Sequence, residues 1–209
     1  GLYTASEIRR GKVYKDLPDR TLHYVPFTYA GAVDAYVLNS NAANVAASAA
    51  EASATTDPNA QYGYTYKHSL FIADYILKNE VSWKGLNMNK RGWIFGKRYT
   101  SNGILYTMRA PTMGSSYDEE DGVMPENNEW DAIADKNSGY IKNWANVYAW
   151  GQDSDGKYRL NKAVRGFKEL RRWRNVNQGT STRGYGYRPV LEVKNAADLG
   201  FEALKVVTL

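Results

Sequence analysis

Gly184-Tyr185-Gly186-Tyr187-Arg188-Pro189-Val190-Leu191-Glu192-Val193 is the stretch on which the fold reading turns. Its Gly-x-Gly opening has the look of a phosphate-binding loop. Such a loop needs a helix directly after it, with N-terminal amides facing the phosphate. Pro189 blocks that helix. The residues from Tyr187 to Val193 instead predict a closing strand, and Gly186 marks a place where another segment approaches the backbone closely. A dinucleotide site is therefore set aside.

Working back from this stretch, the charge is strongly uneven. Lys157 to Arg188 holds ten basic residues and one acid, Glu169, a local +9. Tyr117 to Lys136 holds eight acids and one base, a local −7. The chain as a whole carries +5. Two solvated faces would account for this pattern. So would a basic, aromatic recognition surface around Lys168, Arg171, Arg172, Trp173 and Arg174, framed by an acidic loop.

The local patterns predict short elements. Thr4-Ala5-Ser6-Glu7 fits a capping box opening a helix that runs to Arg10 and stops at Gly11. Leu22 to Tyr29 reads as a strand, pushed toward a sheet edge by Pro26. Val33 to Leu38 and Ser69 to Leu77 are apolar runs that suit a strand or a helix. Asn39 to Ala60 is low in complexity and reads as a surface helix or ordered loop. Tyr62 to Tyr66 alternates as a strand does. Trp93 to Gly96 and Ile104 to Met108 flank Asn102-Gly103, a strong hairpin signal. Asn127 or Asn128 caps a helix opening with Glu129, Trp130 and Asp131 and running to about Lys136. Gln152 to Lys157 reads as a turn, and Lys205 to Leu209 as a last strand. With helices early and strands and long loops late, the expectation is an α+β fold, loop-rich, with small antiparallel sheets and a few short helices. No repeat or linker divides the chain, so residues 1–209 are read as a single domain.

Composition removes several functions. The chain has 209 residues and no Cys, which excludes disulfide scaffolds, thiolate zinc sites, iron–sulfur clusters and Cys nucleophiles. Two His do not make a multi-His metal site. Asp153-Ser154-Asp155-Gly156 begins like a calcium loop, but the required Glu at loop position 12 falls on Val164. No cofactor and no metal are expected. Asp118-Glu119-Glu120-Asp121 would serve acid/base work, as in a glycosidase, yet four adjacent acids before Gly122 read more simply as a solvated loop. His23 and His68 sit beside apolar runs, with no nucleophile elbow nearby, and read as structural. No stretch reaches the roughly 18 apolar residues of a membrane span. No leader pattern opens the chain at Gly1, which suits a trimmed piece of a longer protein. The 17 Tyr and 6 Trp against 5 Phe suit a binding surface, because these rings bury a flat face and keep a polar handle.

Six fragments follow in order: Met108-Arg109-Ala110-Pro111-Thr112, Asn128-Glu129-Trp130, Tyr148-Ala149-Trp150-Gly151-Gln152, Ala163-Val164-Arg165-Gly166, Trp173, and Gly186-Tyr187-Arg188-Pro189-Val190-Leu191. Their order and spacing resemble the formylglycine-generating-enzyme branch of the C-type-lectin fold, over about Trp93 to Val193. In physical terms, Pro111 ends a strand, while Trp130, Trp150 and Tyr187 are candidate core aromatics. Arg109, Arg165 and Arg188 suit pairing with acids or capping of carbonyls. Gly166 and Gly186 allow close approach.

The resemblance implies a C-type-lectin-like fold. It does not carry the enzyme activity, because that family works through cysteines and Arg165-Gly166-Phe167-Lys168-Glu169 departs from its Arg-Gly-Gly-Ser-Trp block. What it implies instead is the use made of this fold by the variable proteins of diversity-generating retroelements. There, residues between the Arg-Gly block and the closing block are displayed for ligand binding. In this chain that interval is Phe167 to Tyr185. The expected ligand-binding residues are Lys168, Leu170, Arg171, Arg172, Trp173, Arg174, Asn175 and Asn177, with Trp173 a buried anchor. The expectation is a non-catalytic, extracellular domain for adhesion or ligand binding, from a bacterial surface or phage-related protein, recognising a protein or glycan. The alternatives are a structural spacer of a larger surface protein, and single-stranded nucleic acid held by the same basic segment.

Overall fold

The computed structural model describes residues 2–4, 22–24, 26–36, 65–88, 93–101, 104–114, 128–154, 158 and 160–193. The chain runs β1 (Leu2–Thr4), β2 (Leu22–Tyr24), β3 (Phe27–Tyr36), β4 (Thr65–Ala73), β5 (Lys78–Asn79), α1 (Trp83–Asn87), β6 (Lys97–Ser101) and β7 (Ile104–Arg109). It continues with α2 (Glu129–Lys136), a 3-10 turn (Ser138–Tyr140), β8 (Tyr148–Ser154), β9 (Asn161–Gly166), β10 (Glu169–Asn177), β11 (Tyr185–Tyr187) and β12 (Val190–Val193). β1 and β2 pair with each other. The other strands form two five-stranded sheets, β3-β4-β12-β7-β6 and β10-β9-β8-β11-β5. The first is antiparallel throughout. The second contains one parallel pair, β11 with β8. Two sheets with short helices agree with the coarse α+β expectation.

Several local expectations need correction. Strands fill the first half as well as the second, so helices do not come early among the described residues. Trp93–Phe95 form a turn, and the hairpin strand begins at Lys97, after Gly96 at φ 144°. Gln152–Ser154 continue β8 where the Asp and Gly content suggested a turn. The Leu22–Tyr29 strand is broken ahead of Phe27 into β2 and β3, and β3 does lie at a sheet edge. Thr4, the expected N-cap of the first helix, ends β1; the rest of that helix, the Asn39–Ala60 segment, Asp118–Asp121 and the Lys205–Leu209 strand lie outside the described residues.

The ambiguous Ser69–Leu77 run resolves for a clear reason. β4 is a central strand covered on both faces, so it carries no polar alternation to mark it as a strand. Leu70 and Ile72, with Val190 of β12, join a cluster containing Trp130, Ile133 and Ala134 of α2. Phe71 and Ala73, with Leu191 and Val193, join a second cluster containing Tyr106, Trp150 and Tyr187. The expected core aromatics Trp130, Trp150 and Tyr187 are all buried.

Helix α2 forms as its sequence predicts. Asn128 is its N-cap, and the side chain accepts a hydrogen bond from Asp131 N at 2.8 Å. Glu129 and Asp131 occupy the first turn, where carboxylates oppose the helix dipole. These acids also hold the scaffold arginines. Arg109 donates to Glu129 at 2.5 and 2.8 Å and to Glu192 at 2.7 Å. Arg165 donates to Asp131 at 2.8 Å and to the Met113 carbonyl at 3.0 Å. Arg188 donates to the carbonyls of Ala73 at 2.7 Å and Asn143 at 2.9 Å. Burial alone would raise the Glu129 carboxyl, but the Arg109 guanidinium and His68 override it and hold it well below the usual carboxylate range. His68, read as structural, lies buried 3.0 Å from Glu129.

Candidate functional site

Strand alternation divides the basic interval. In the β10–β9 ladder Trp173 stands opposite Arg165, and Arg174 opposite Val164. Neighbouring residues on a strand point to opposite faces. Trp173 therefore turns inward beside Arg165, is 1% exposed, and donates its indole N–H to Gly114 O at 3.0 Å. Arg171 also leaves the open face. It pairs with Asp131 at 3.5 Å and with Asp135, both on α2. Arg172 and Arg174, on the other face, line a cleft of about 720 Å³ together with Lys168 and Arg183.

Two loops position those cations. Gly166 pairs with Glu169, so Phe167 and Lys168 alone connect β9 to β10. The turn is clamped from below: Phe167 N donates to Trp144 O at 3.2 Å, and Asn146 N donates to Phe167 O at 2.9 Å. Gly166 sits at φ 102°, and a Cβ there would lie 3.0 Å from Val147 O. Phe167 itself sits at φ 77°, a region that bulky side chains rarely enter. The second loop joins β10 to β11 and carries Thr182, Arg183 and Gly184. It is tied to β8 by Tyr148 N donating to Gly184 O at 2.7 Å. Gly186, in β11, lies where a Cβ would come within 2.4 Å of Ile76 and 2.9 Å of Lys78 O, so only glycine lets β5 and β11 close there.

The aromatic wall is a column of rings. Phe167 stacks on Tyr148 at 4.9 Å, Tyr148 on Tyr185 at 5.4 Å, and Tyr185 on Trp150 at 5.4 Å. Burial pushes the Tyr185 phenol up, while Arg174 pulls it back toward ordinary values. Asn79 of β5, Asn146 and Thr182 supply neutral hydrogen-bonding groups to the lining. None of the lining residues is acidic.

No protein-family model, curated protein or solved structure matches the chain. The cleft must therefore be judged by its own geometry. Of the sequence-predicted residues, Lys168, Arg172 and Arg174 line it. Leu170, Arg171, Trp173, Asn175 and Asn177 do not. Leu170 is half-buried, and its carbonyl accepts from the Trp130 indole at 2.9 Å. Asn175 stands opposite Ala163, and Ala163 packs in the α2-side cluster. Asn177 closes the next turn by accepting from Gly179 N at 2.9 Å. Nothing in the sequence points to Asn79 and Asn146, because they arrive from segments 88 and 21 residues before Phe167. Tyr148 was legible only as part of a scaffold fragment. Among the described residues, no three His, Asp or Glu side chains gather to hold a metal ion, and no helix is long and apolar enough to cross a membrane.

Proposed function

We propose that this chain is a non-catalytic, extracellular ligand-binding domain of C-type-lectin-like fold, from a bacterial surface or phage-related protein, and that it recognises a protein or glycan through the basic, aromatic cleft. The observation that carries the reading is convergence. Lys168, Arg172, Arg174 and Arg183 come from two loops and one strand to a single cleft with no acid in its lining. Its volume falls within the roughly 300–1,000 Å³ of small-ligand sites. Arginines at an aromatic wall are typical recognition residues. Support for the fold type comes from the ordered fragments, whose Arg, Trp and Gly residues do scaffold work. The absence of Cys removes the oxidase chemistry of the family that the fragments resemble.

The test contrasts the two faces of β10. Binding is measured by screening the chain on glycan and peptide arrays, then by titration of the hits. Arg172→Ala with Arg174→Ala should weaken binding by about tenfold or more, the loss expected when charge-assisted hydrogen bonds go. Arg171→Ala, which faces α2, should leave affinity within about twofold while costing some stability. Equal affinity for all these variants would overturn the reading.

A further inference from the structure

We infer that the cleft takes an acidic sugar, a pyranose ring carrying a carboxylate or sulfate. This rests on the cleft being the recognition site proposed above. Four cations line one volume of about 720 Å³ with no acid in the lining; Glu80 lies 3.8 Å from Arg183 and offsets one charge, and the lining still favours an anion. Lys168 and Arg174 are exposed and make no ion pair among the described residues. Arg172 and Arg174 offer planar forks that match a carboxylate or sulfate edge.

The rings narrow the ligand further. Tyr148 and Tyr185 each stack on two neighbouring rings, so the faces used in those contacts are closed to a ligand. A single-stranded nucleic acid depends on open ring faces to stack its bases. Of the three lining rings only Phe167, at the end of the column, keeps a face outside the stack, too few for a run of bases. A lining rich in cations and short of open ring faces suits an anion that does not need to stack. Asn79, Asn146 and Thr182 then supply donors and acceptors matched to the hydroxyls of a sugar ring.

The experiment is calorimetric titration of the full chain, at physiological salt, with trigalacturonate, a heparin-derived tetrasaccharide, maltotriose, hexaglutamate and a thymidine octanucleotide. At least one acidic sugar should bind, with the other three at least roughly tenfold weaker. Arg172→Ala and Arg174→Ala should each weaken it by about tenfold. Lys168→Ala, a change at an exposed site that leaves the fold intact, should weaken it as well. The inference is overturned if neither acidic sugar binds, or if maltotriose, hexaglutamate or the oligonucleotide binds as tightly. The two readings fail separately. If both acidic sugars are inert while an array ligand depends on Arg172 and Arg174, only the acidic-sugar inference falls. If an acidic sugar binds but ignores all three substitutions, the recognition reading falls with it.

Discussion

Phe167 shows how one residue can hold a site at a cost. A bulky side chain at φ 77° is strained by about 1–3 kcal/mol. The strain persists because the backbone is pinned on both sides, to Trp144 O and from Asn146 N, and because the ring completes the stack on Tyr148. Substitution separates these terms. Phe167→Ala and Phe167→Gly both remove the ring, but only glycine accepts the backbone angle without penalty. Phe167→Gly should be the more stable variant by about 1 kcal/mol in urea denaturation, the reverse of the usual Ala-over-Gly order. If Phe167→Ala proves the more stable, the backbone is not strained there. Sequence gave no sign of this angle: Phe167 was visible as an interval boundary and a departure from a family block, not as a wall of the cleft.

At the scale of elements, α2 and β10 were legible to different depths. α2 carries local signals: a capping Asn, acids in the first turn and a buried Trp one turn from Ile133. Its Asn128 cap also donates to Asp131 at 2.8 Å, which fixes the carboxylate that holds Arg165. Asn128→Ala should therefore lower stability by about 1–2 kcal/mol in chemical denaturation, and Asn128→Ser by clearly less, because a hydroxyl keeps the cap and adds no charge beside Asp131. An equal loss for both variants would deny the cap its role. β10 has no comparable local signal. Its register shifts between Glu169 and Trp173, so an alternating count from the hairpin does not say which arginine faces the cleft. Pairing with β9 decides that. Sequence groups Arg171, Arg172 and Arg174 on one basic surface with Trp173 as its buried anchor; the ladder keeps Trp173 inside but sends Arg171 to the α2 side and the other two to the cleft. Gln152 and Asp153 failed in the opposite direction: their polar character suggested a turn, whereas both are buried in β8.

Across the whole molecule, the uneven charge becomes an internal arrangement. Glu129, Asp131 and Asp135 belong to the acidic segment, and they meet Arg109, Arg165 and Arg171. One short helix thereby ties together strands of both sheets, and part of the local +9 is spent on the scaffold. A buried acid beside this arrangement, acted on by both Arg165 and Glu129, adds its own dependence of stability on pH. Asp153 accepts from Met113 N through one oxygen, while its Oδ1 has no hydrogen-bond partner among the described residues. Burial pushes its carboxyl from 3.8 up to about 6. The folded-state value lies above the unfolded one, so the folded chain holds the extra proton between them. Asp153 thus costs nothing below about pH 4 and costs progressively more stability as pH rises through about 6. Asp153→Asn should remove that loss, gaining on the order of 2–3 kcal/mol at pH 7 relative to pH 4. A wild type and variant with parallel pH profiles in urea unfolding would refute it.

The four-ring column gives the molecule an optical property of its own. Rings stacked at 4.9 to 5.4 Å couple their electronic transitions, and Trp150 closes the series as the natural acceptor of excitation from Tyr185 and Tyr148. The cleft is therefore wired to a native chromophore. An occupant that nudges Phe167 or Tyr185 will alter near-ultraviolet circular dichroism and the tyrosine-to-tryptophan emission ratio, with no label attached.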